Sequence, residues 1–168
     1  MLDRVREALF STLGDVVEDA RALDLYAGTG SLGLEAMSRG ARFVRFCERG
    51  RGPRQLLERN VAALGLAGRV EVRAADALDP RVWAPPADAP GTDWAELVLL
   101  DPPYRFVTGG PERARVLAAV AELFETIVAP GGVLVLHTHP RDLEARELPG
   151  REPDRRLYGN SALWYLWK

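Results

Sequence analysis

RALDLYAGTGSLGLEAMSRG, residues 21–40, passes within twenty positions from an apolar run, through a glycine-rich turn, to a helical pattern. The run RALDLYA (21–27) has the composition of a short strand buried on both faces. GLEAMSRG then carries helix-forming residues and stops at Gly40, as helices often do. Gly28, Gly30 and Gly33 satisfy G-x-G-x-x-G between the two. A strand, a glycine turn and a helix in this order open a β-α-β unit, and the chain beyond repeats it.

Further strand candidates are RFVRFCE (42–48), VEVRAAD (70–76), AELVLLD (95–101) and VLVLHTH (133–139). Helical patterns separate them: PRQLLERNVAALG ending at Gly65, and PERARVLAAVAELFETIV before Ala129-Pro130-Gly131-Gly132. Upstream, DRVREALFSTL (3–13) sets Val5, Leu9 and Leu13 on one face behind Asp3, a capping residue. The closing ARELPGREPDRRLYGNSALWYLWK has no helix long enough for a crossover and fits two strands joined as a hairpin. WAPPADAPGTDW (83–94) reads as a Pro-rich surface excursion. The expected fold is α/β, a mostly parallel sheet with helices on both faces and an antiparallel edge.

With 168 residues, 47% of them hydrophobic, the chain suffices for one full core, so a single domain over 1–168 is expected. A net charge of −2 gives no whole-molecule attraction for nucleic acid, and a polyanion would need a local basic patch. One cysteine, Cys47, cannot form an internal disulfide. With no leader or long apolar run visible, the chain reads as cytoplasmic and free of membranes.

Chemistry gathers where the strands end, which is where open parallel sheets bind ligands. The glycine turn lets a ligand approach the backbone, and the following helix offers unpaired N–H groups. Taken alone it suggests a dinucleotide. Asp24 argues otherwise, since a carboxylate in that strand repels a pyrophosphate and attracts an ammonium group. Glu48, twenty-four residues later, suits the two hydroxyls of a ribose. Asp76 suits an exocyclic amine or caps the next turn, and Asp101 closes the fourth strand. A row of acids fits a ligand bearing amines, hydroxyls and a positive charge, and S-adenosylmethionine has all three.

In LLDPPYRF (99–106) two prolines end the strand rigidly. The Asp101 carboxylate, the Asp101 and Pro102 carbonyls and the Tyr104 ring then form a clamp for a planar amine. His137 and His139 have no Cys or acid at ligand spacing, so no metal site is expected.

DLYAGTGSLGLEAMSRGA, the ERG after the second strand, AADAL and LLDPPYRF resemble class I methyltransferases that modify exocyclic amines of nucleic-acid bases. DRVREALFSTL and LYGNSALWYL resemble, more closely, the RsmD family, which methylates N2 of a guanine in small-subunit (16S) ribosomal RNA, of the guanine 966 type. The resemblance covers nearly the whole chain and implies a Rossmann-like, seven-stranded class I fold acting as a monomer on that RNA or its assembly particle. It implies that Asp24 with Ala27, Gly28, Thr29 and Gly30 holds the methionine part of S-adenosylmethionine. Glu48 would hold the ribose, Asp76 with the Ala77 backbone the adenine, and Asp101, Pro102, Pro103 and Tyr104 the target base. Arg4, Arg6 and Arg105 are candidate RNA contacts. Two departures stand out. Relatives usually begin with a basic hairpin carrying Arg-Pro-Thr, whereas this chain opens at Met1-Leu2-Asp3; relatives also carry a second acid soon after Glu48, where Arg49, Gly50 and Arg51 stand here. The alternatives are a DNA amino-methyltransferase using the same clamp and a non-catalytic RNA binder that keeps the cofactor fold.

Overall fold

Residues 3–150 and 152–168 are described by a computed structural model, so the opening Met1 and Leu2, where the basic arm is read as missing, lie outside the described residues. The apolar runs form seven strands: β1 (Arg21–Leu25), β2 (Phe43–Cys47), β3 (Val70–Arg73), β4 (Ala95–Leu100), β5 (Val128–Thr138), β6 (Asp154–Tyr158) and β7 (Ser161–Trp167). They make one sheet in the order β3-β2-β1-β4-β5-β7-β6. β1 through β5 pair in parallel, and β7 lies antiparallel to both β5 and β6. This is the mostly parallel class I methyltransferase sheet with its antiparallel edge hairpin.

Strand alternation sorts the core into two layers. Ala22, Val44, Phe46, Leu97, Leu99, Val133 and Val135 face α1 (Asp3–Leu13), α2 (Ser31–Ser38) and α3 (Arg51–Ala63). Leu23, Leu25, Cys47, Val98, Leu100, Leu134 and Leu136 face α4 (Gly110–Thr126) and the tryptophans of the Pro-rich loop. The four-residue spacing in α1 buries Val5, Leu9 and Leu13 as its pattern predicts, with Phe10 beside them. Each such side chain contributes about 1.5–3 kcal/mol when fully buried. The same alternation points Asp24, Glu48 and Asp101 toward the α1–α3 side at the carboxyl ends of three neighbouring strands.

Two segments depart from the pattern. β5 starts five residues before the predicted strand, because Ala129-Pro130-Gly131-Gly132 bulges within the strand where a break is expected. Ala95 pairs with Val128 and Leu97 already with Val133. Gly131 has φ +78°, and a Cβ on Gly132 would lie 2.8 Å from the Glu96 carbonyl, so both positions require glycine. The β3-to-β4 crossover contains no α-helix, only a 3-10 turn and the Pro-rich loop. That loop is anchored in the core at both ends and is a surface excursion only in its middle. The Trp83 indole donates to the Ala77 carbonyl at 2.9 Å and the Trp94 indole to the Trp83 carbonyl at 2.8 Å. Buried Arg45 joins them, donating to Glu71 at 2.7 Å and to the Val82 and Ala84 carbonyls. Among the described residues no helix is long and apolar enough to cross a membrane.

Candidate functional site

The glycine turn is shaped by its backbone angles and by packing. Tyr26 and Gly28 both take left-handed backbone angles, φ +60° and +57°, and a non-glycine there is uncommon. Nothing lies within 4 Å of a Cβ built on Gly28, so its backbone is open to a ligand. By contrast, a Cβ on Gly33 would meet the Phe46 ring at 2.3 Å. The first glycine thus serves approach, and the third serves close packing of α2 on β2.

Asp24 is buried beneath this turn, 1% exposed, and its Oδ2 accepts the Gly33 amide at 2.8 Å. That amide is one of the donors that a helix start leaves unpaired. Burial, helped by the charges of Asp101 and Glu48, pushes the Asp24 carboxyl up to about 7 against the pull of the Gly33 amide. Glu48 reaches across from β2: Oε2 accepts the Gly28 amide at 2.9 Å and Oε1 the Gly50 amide at 2.5 Å. Asp76, past the end of β3, accepts from the Leu78 amide and from Arg115 of α4, each at 3.1 Å. Burial works against its charge, yet these donors hold it below the usual carboxylate range.

A cleft of about 460 Å³ opens between the ends of β1, β2, β4 and β5. Of the residues singled out in the sequence, Gly28, Glu48, Ala77, Asp101, Pro102, Pro103, Tyr104 and Arg105 line it. Asp24, Ala27, Thr29, Gly30 and Asp76 do not line it. Arg4 is exposed on α1, and Arg6 pairs with Asp3 at 3.0 Å and Glu35 at 3.8 Å; neither lines the cleft. Arg105 does stand at the rim, its guanidinium 5.2 Å from the Phe106 ring centre.

The clamp stretch is rigid as its prolines require. The Pro103 carbonyl accepts the Phe106 amide at 2.8 Å and the Tyr104 carbonyl the Val107 amide at 3.0 Å, closing a 3-10 turn that leaves Tyr104 43% exposed. Phe106 meets Tyr26 edge-on at 6.0 Å, which makes an aromatic wall between turn and clamp. Cys47 also faces the cleft; burial, with Asp76 and Glu48 nearby, pushes its thiol up to about 12, so it is no nucleophile at neutral pH. Sequence reasoning missed one wall residue with direct contacts to the clamp. His137 Nδ1 lies 2.6 Å from Asp101 Oδ1, and its Nε2 lies 3.4 Å from the Tyr104 hydroxyl. The only sequence signal for it was its position at the end of a strand. Among the described residues no group of three or more His, Cys, Asp or Glu is arranged to hold a metal ion.

Comparison with known proteins bears on the family and the fold. The family model described as conserved hypothetical protein 95 matches residues 1–167. Ribosomal RNA small subunit methyltransferase D of Escherichia coli is 41% identical over 103 residues, a match spanning 61% of this chain and 48% of that protein. The solved structure of the E. coli protein described as "putative methyltransferase yhhF" superposes with a TM-score of 0.76 at 28% identity, covering 99% of this chain and 85% of the other. An RNA methyltransferase from Salinibacter ruber, solved with S-adenosyl-L-homocysteine, shares the fold, with a TM-score of 0.67 at 19% identity over 99% of this chain and 92% of its own. On these grounds the chain belongs to the conserved hypothetical protein 95 family, which is the RsmD family that its motifs resemble.

Proposed function

We propose that residues 1–168 act as one S-adenosylmethionine-dependent methyltransferase domain that modifies the exocyclic N2 of a guanine in small-subunit ribosomal RNA, in the cytoplasm. The observation that carries this reading is the meeting of Gly28, Glu48, Asp101, Pro102 and Tyr104 on one cleft at the carboxyl ends of a parallel sheet. The residues fit the cofactor. The backbone at Gly28 is open, Glu48 offers a carboxylate to ribose hydroxyls, and the acids favour a cationic ligand over a pyrophosphate. Asp24 supports the turn through the Gly33 amide and, when ionised, adds negative potential under the methionine ammonium. Ala27, Thr29 and Gly30 shape that turn, and Asp76 with the Ala77 backbone faces the adenine side. Names of relatives support the substrate class: the matched E. coli protein is a small-subunit ribosomal RNA methyltransferase.

S-adenosylmethionine supplies an electrophilic methyl group, and the guanine amine gains a C–N bond as the C–S bond breaks. The lone pair of that amine is delocalised into the ring, so the enzyme's contribution is alignment. The Asp101 carboxylate and the Pro102 carbonyl accept the two amine hydrogens and favour a pyramidal nitrogen. Tyr104 stacks on the base, which has to leave its helix or come from a loop. The surplus proton leaves through Asp101 after transfer, when the amine is cationic and acidic. Arg105 at the rim meets the RNA backbone, with Arg4 and Arg6 as more distant contacts.

Incubation with methyl-labelled S-adenosylmethionine and small-subunit RNA or its assembly particle, followed by nucleoside mass spectrometry, tests the reading. Label in N2-methylguanine is expected. Label in adenine or cytosine would make the enzyme an amino-methyltransferase of another class, and no label in any base would leave a non-catalytic binder.

A further inference from the structure

His137 has no part in the chemistry just described, yet it is tied to both ends of the clamp. Its side chain is 4% exposed and lies on the cleft wall. The pairing of Leu100 with Leu136 carries Asp101, just past the end of β4, alongside His137 in the last rungs of β5's ladder. The contact of 2.6 Å between His137 Nδ1 and Asp101 Oδ1 is short for an N–H···O hydrogen bond, and bonds to an ionised partner are the shorter ones. An ionised carboxylate only accepts, so Nδ1 carries the proton. Nε2 of a neutral imidazole is then an acceptor, and the Tyr104 hydroxyl, 3.4 Å away, donates to it. One tautomer satisfies both contacts. The rings of Tyr104 and His137 also meet edge-on, with centres 5.6 Å apart at 63°. His139 is held differently, its Nδ1 accepting the Arg141 amide at 3.3 Å.

We propose that His137 is a positioning residue for methyl transfer. It fixes the Asp101 carboxylate in one orientation through Nδ1–H and docks the Tyr104 ring through Nε2, so that acceptor and stacking surface are set before the base arrives. The proposal rests on the guanine-amine reading of the clamp. It assigns His137 no proton transfer and no contact with S-adenosylmethionine.

The substitutions His137→Phe and His137→Asn separate the two bonds. Phenylalanine fills the space and breaks both, whereas the asparagine amide returns an N–H toward Asp101 alone. His137→Phe is expected to lower kcat by about 10²-fold, the scale of a misaligned reacting group, with KM for S-adenosylmethionine unchanged. His137→Asn is expected to recover most of kcat while KM for RNA stays raised, because Tyr104 has lost its partner. Wild-type kcat in His137→Phe, or a His137→Asn enzyme no faster than His137→Phe, would overturn the assignment. A second measurement is independent of turnover. In ¹⁵N-histidine NMR, His137 is expected as the Nδ1–H tautomer and is expected to lose that preference in Asp101→Ala. An Nε2–H tautomer in the wild type overturns the proposal. Should the wild type fail to methylate RNA, the guanine reading falls, and the NMR tautomer alone decides whether His137 orients Asp101.

Discussion

Glu48 accepts the amide of Gly28 at 2.9 Å, so a carboxylate at the end of β2 fastens the glycine turn that follows β1. Its other oxygen takes the Gly50 amide just before α3, and one side chain thereby sets two backbone segments of the cleft wall. Glu48→Ala removes both bonds and the acceptor intended for the ribose. Charged hydrogen bonds contribute about 1.5–3 kcal/mol each, so S-adenosylmethionine affinity is expected to fall by about 10- to 100-fold. Isothermal titration calorimetry measures this directly, and unchanged affinity would remove Glu48 from the cofactor site.

Asp101 and Tyr104 sit on the same short stretch but have separable tasks. Asp101→Ala is expected to reduce kcat by about 10²-fold or more with little change in S-adenosylmethionine binding, because it aligns the acceptor amine. Tyr104→Ala is expected to act chiefly on KM for RNA, since stacking on one base is worth about 1–3 kcal/mol. Steady-state kinetics with both substrates varied distinguishes the two, and normal turnover in Asp101→Ala would refute the clamp.

Asp24 makes stability depend on pH. Its folded value, about 7, lies above the ordinary 3.8, so the folded chain keeps a proton that the unfolded chain releases. This group's contribution is therefore fully present below about pH 4 and is lost as pH rises through about 7. Asp24→Asn keeps an oxygen for the Gly33 amide and cannot ionise. In urea titrations the variant is expected to gain on the wild type steadily between those two values. A stability difference independent of pH would show that Asp24 is ionised throughout.

Gly33 is set against the Phe46 ring. In Gly33→Ala, helix propensity gains up to about 1 kcal/mol, but forcing a methyl into a filled core costs typically about 1–3 kcal/mol. With only 2.3 Å between the added carbon and the ring, packing outweighs propensity. Net destabilisation in chemical denaturation is the expected result. The same change at the open Gly28 position would instead strain the φ +57° backbone and reduce cofactor binding without meeting any neighbour.

The architecture was legible because strands buried on both faces read as plain apolar runs, and β1, β2 and β4 do so almost to the residue. In the sequence β5 looks short because Gly131 and Gly132 resemble a break, whereas the pairing with β4 makes them a bulge. Trp83 and Trp94 are indistinguishable from loop residues in the sequence, although their indoles are bonded inside the core. In the cleft, Glu48, Asp101 and Tyr104 were legible since each ends or follows a strand. Asp24 stood out as an acid in an apolar strand, but its bond to a helix amide nine residues on was not readable. His137 stayed hidden for a similar reason: its partner is 36 residues away, and the contact exists only in the β4–β5 register.

The most direct test of the account is a crystal structure with S-adenosylhomocysteine and a guanine-bearing RNA loop bound. The predicted result has ribose hydroxyls within hydrogen-bonding distance of Glu48, the thioether facing the clamp, and the guanine amine between the Asp101 carboxylate and the Pro102 carbonyl under Tyr104. A nucleoside bound away from Glu48, or a guanine that reaches the clamp with its amine turned from Asp101, would contradict it.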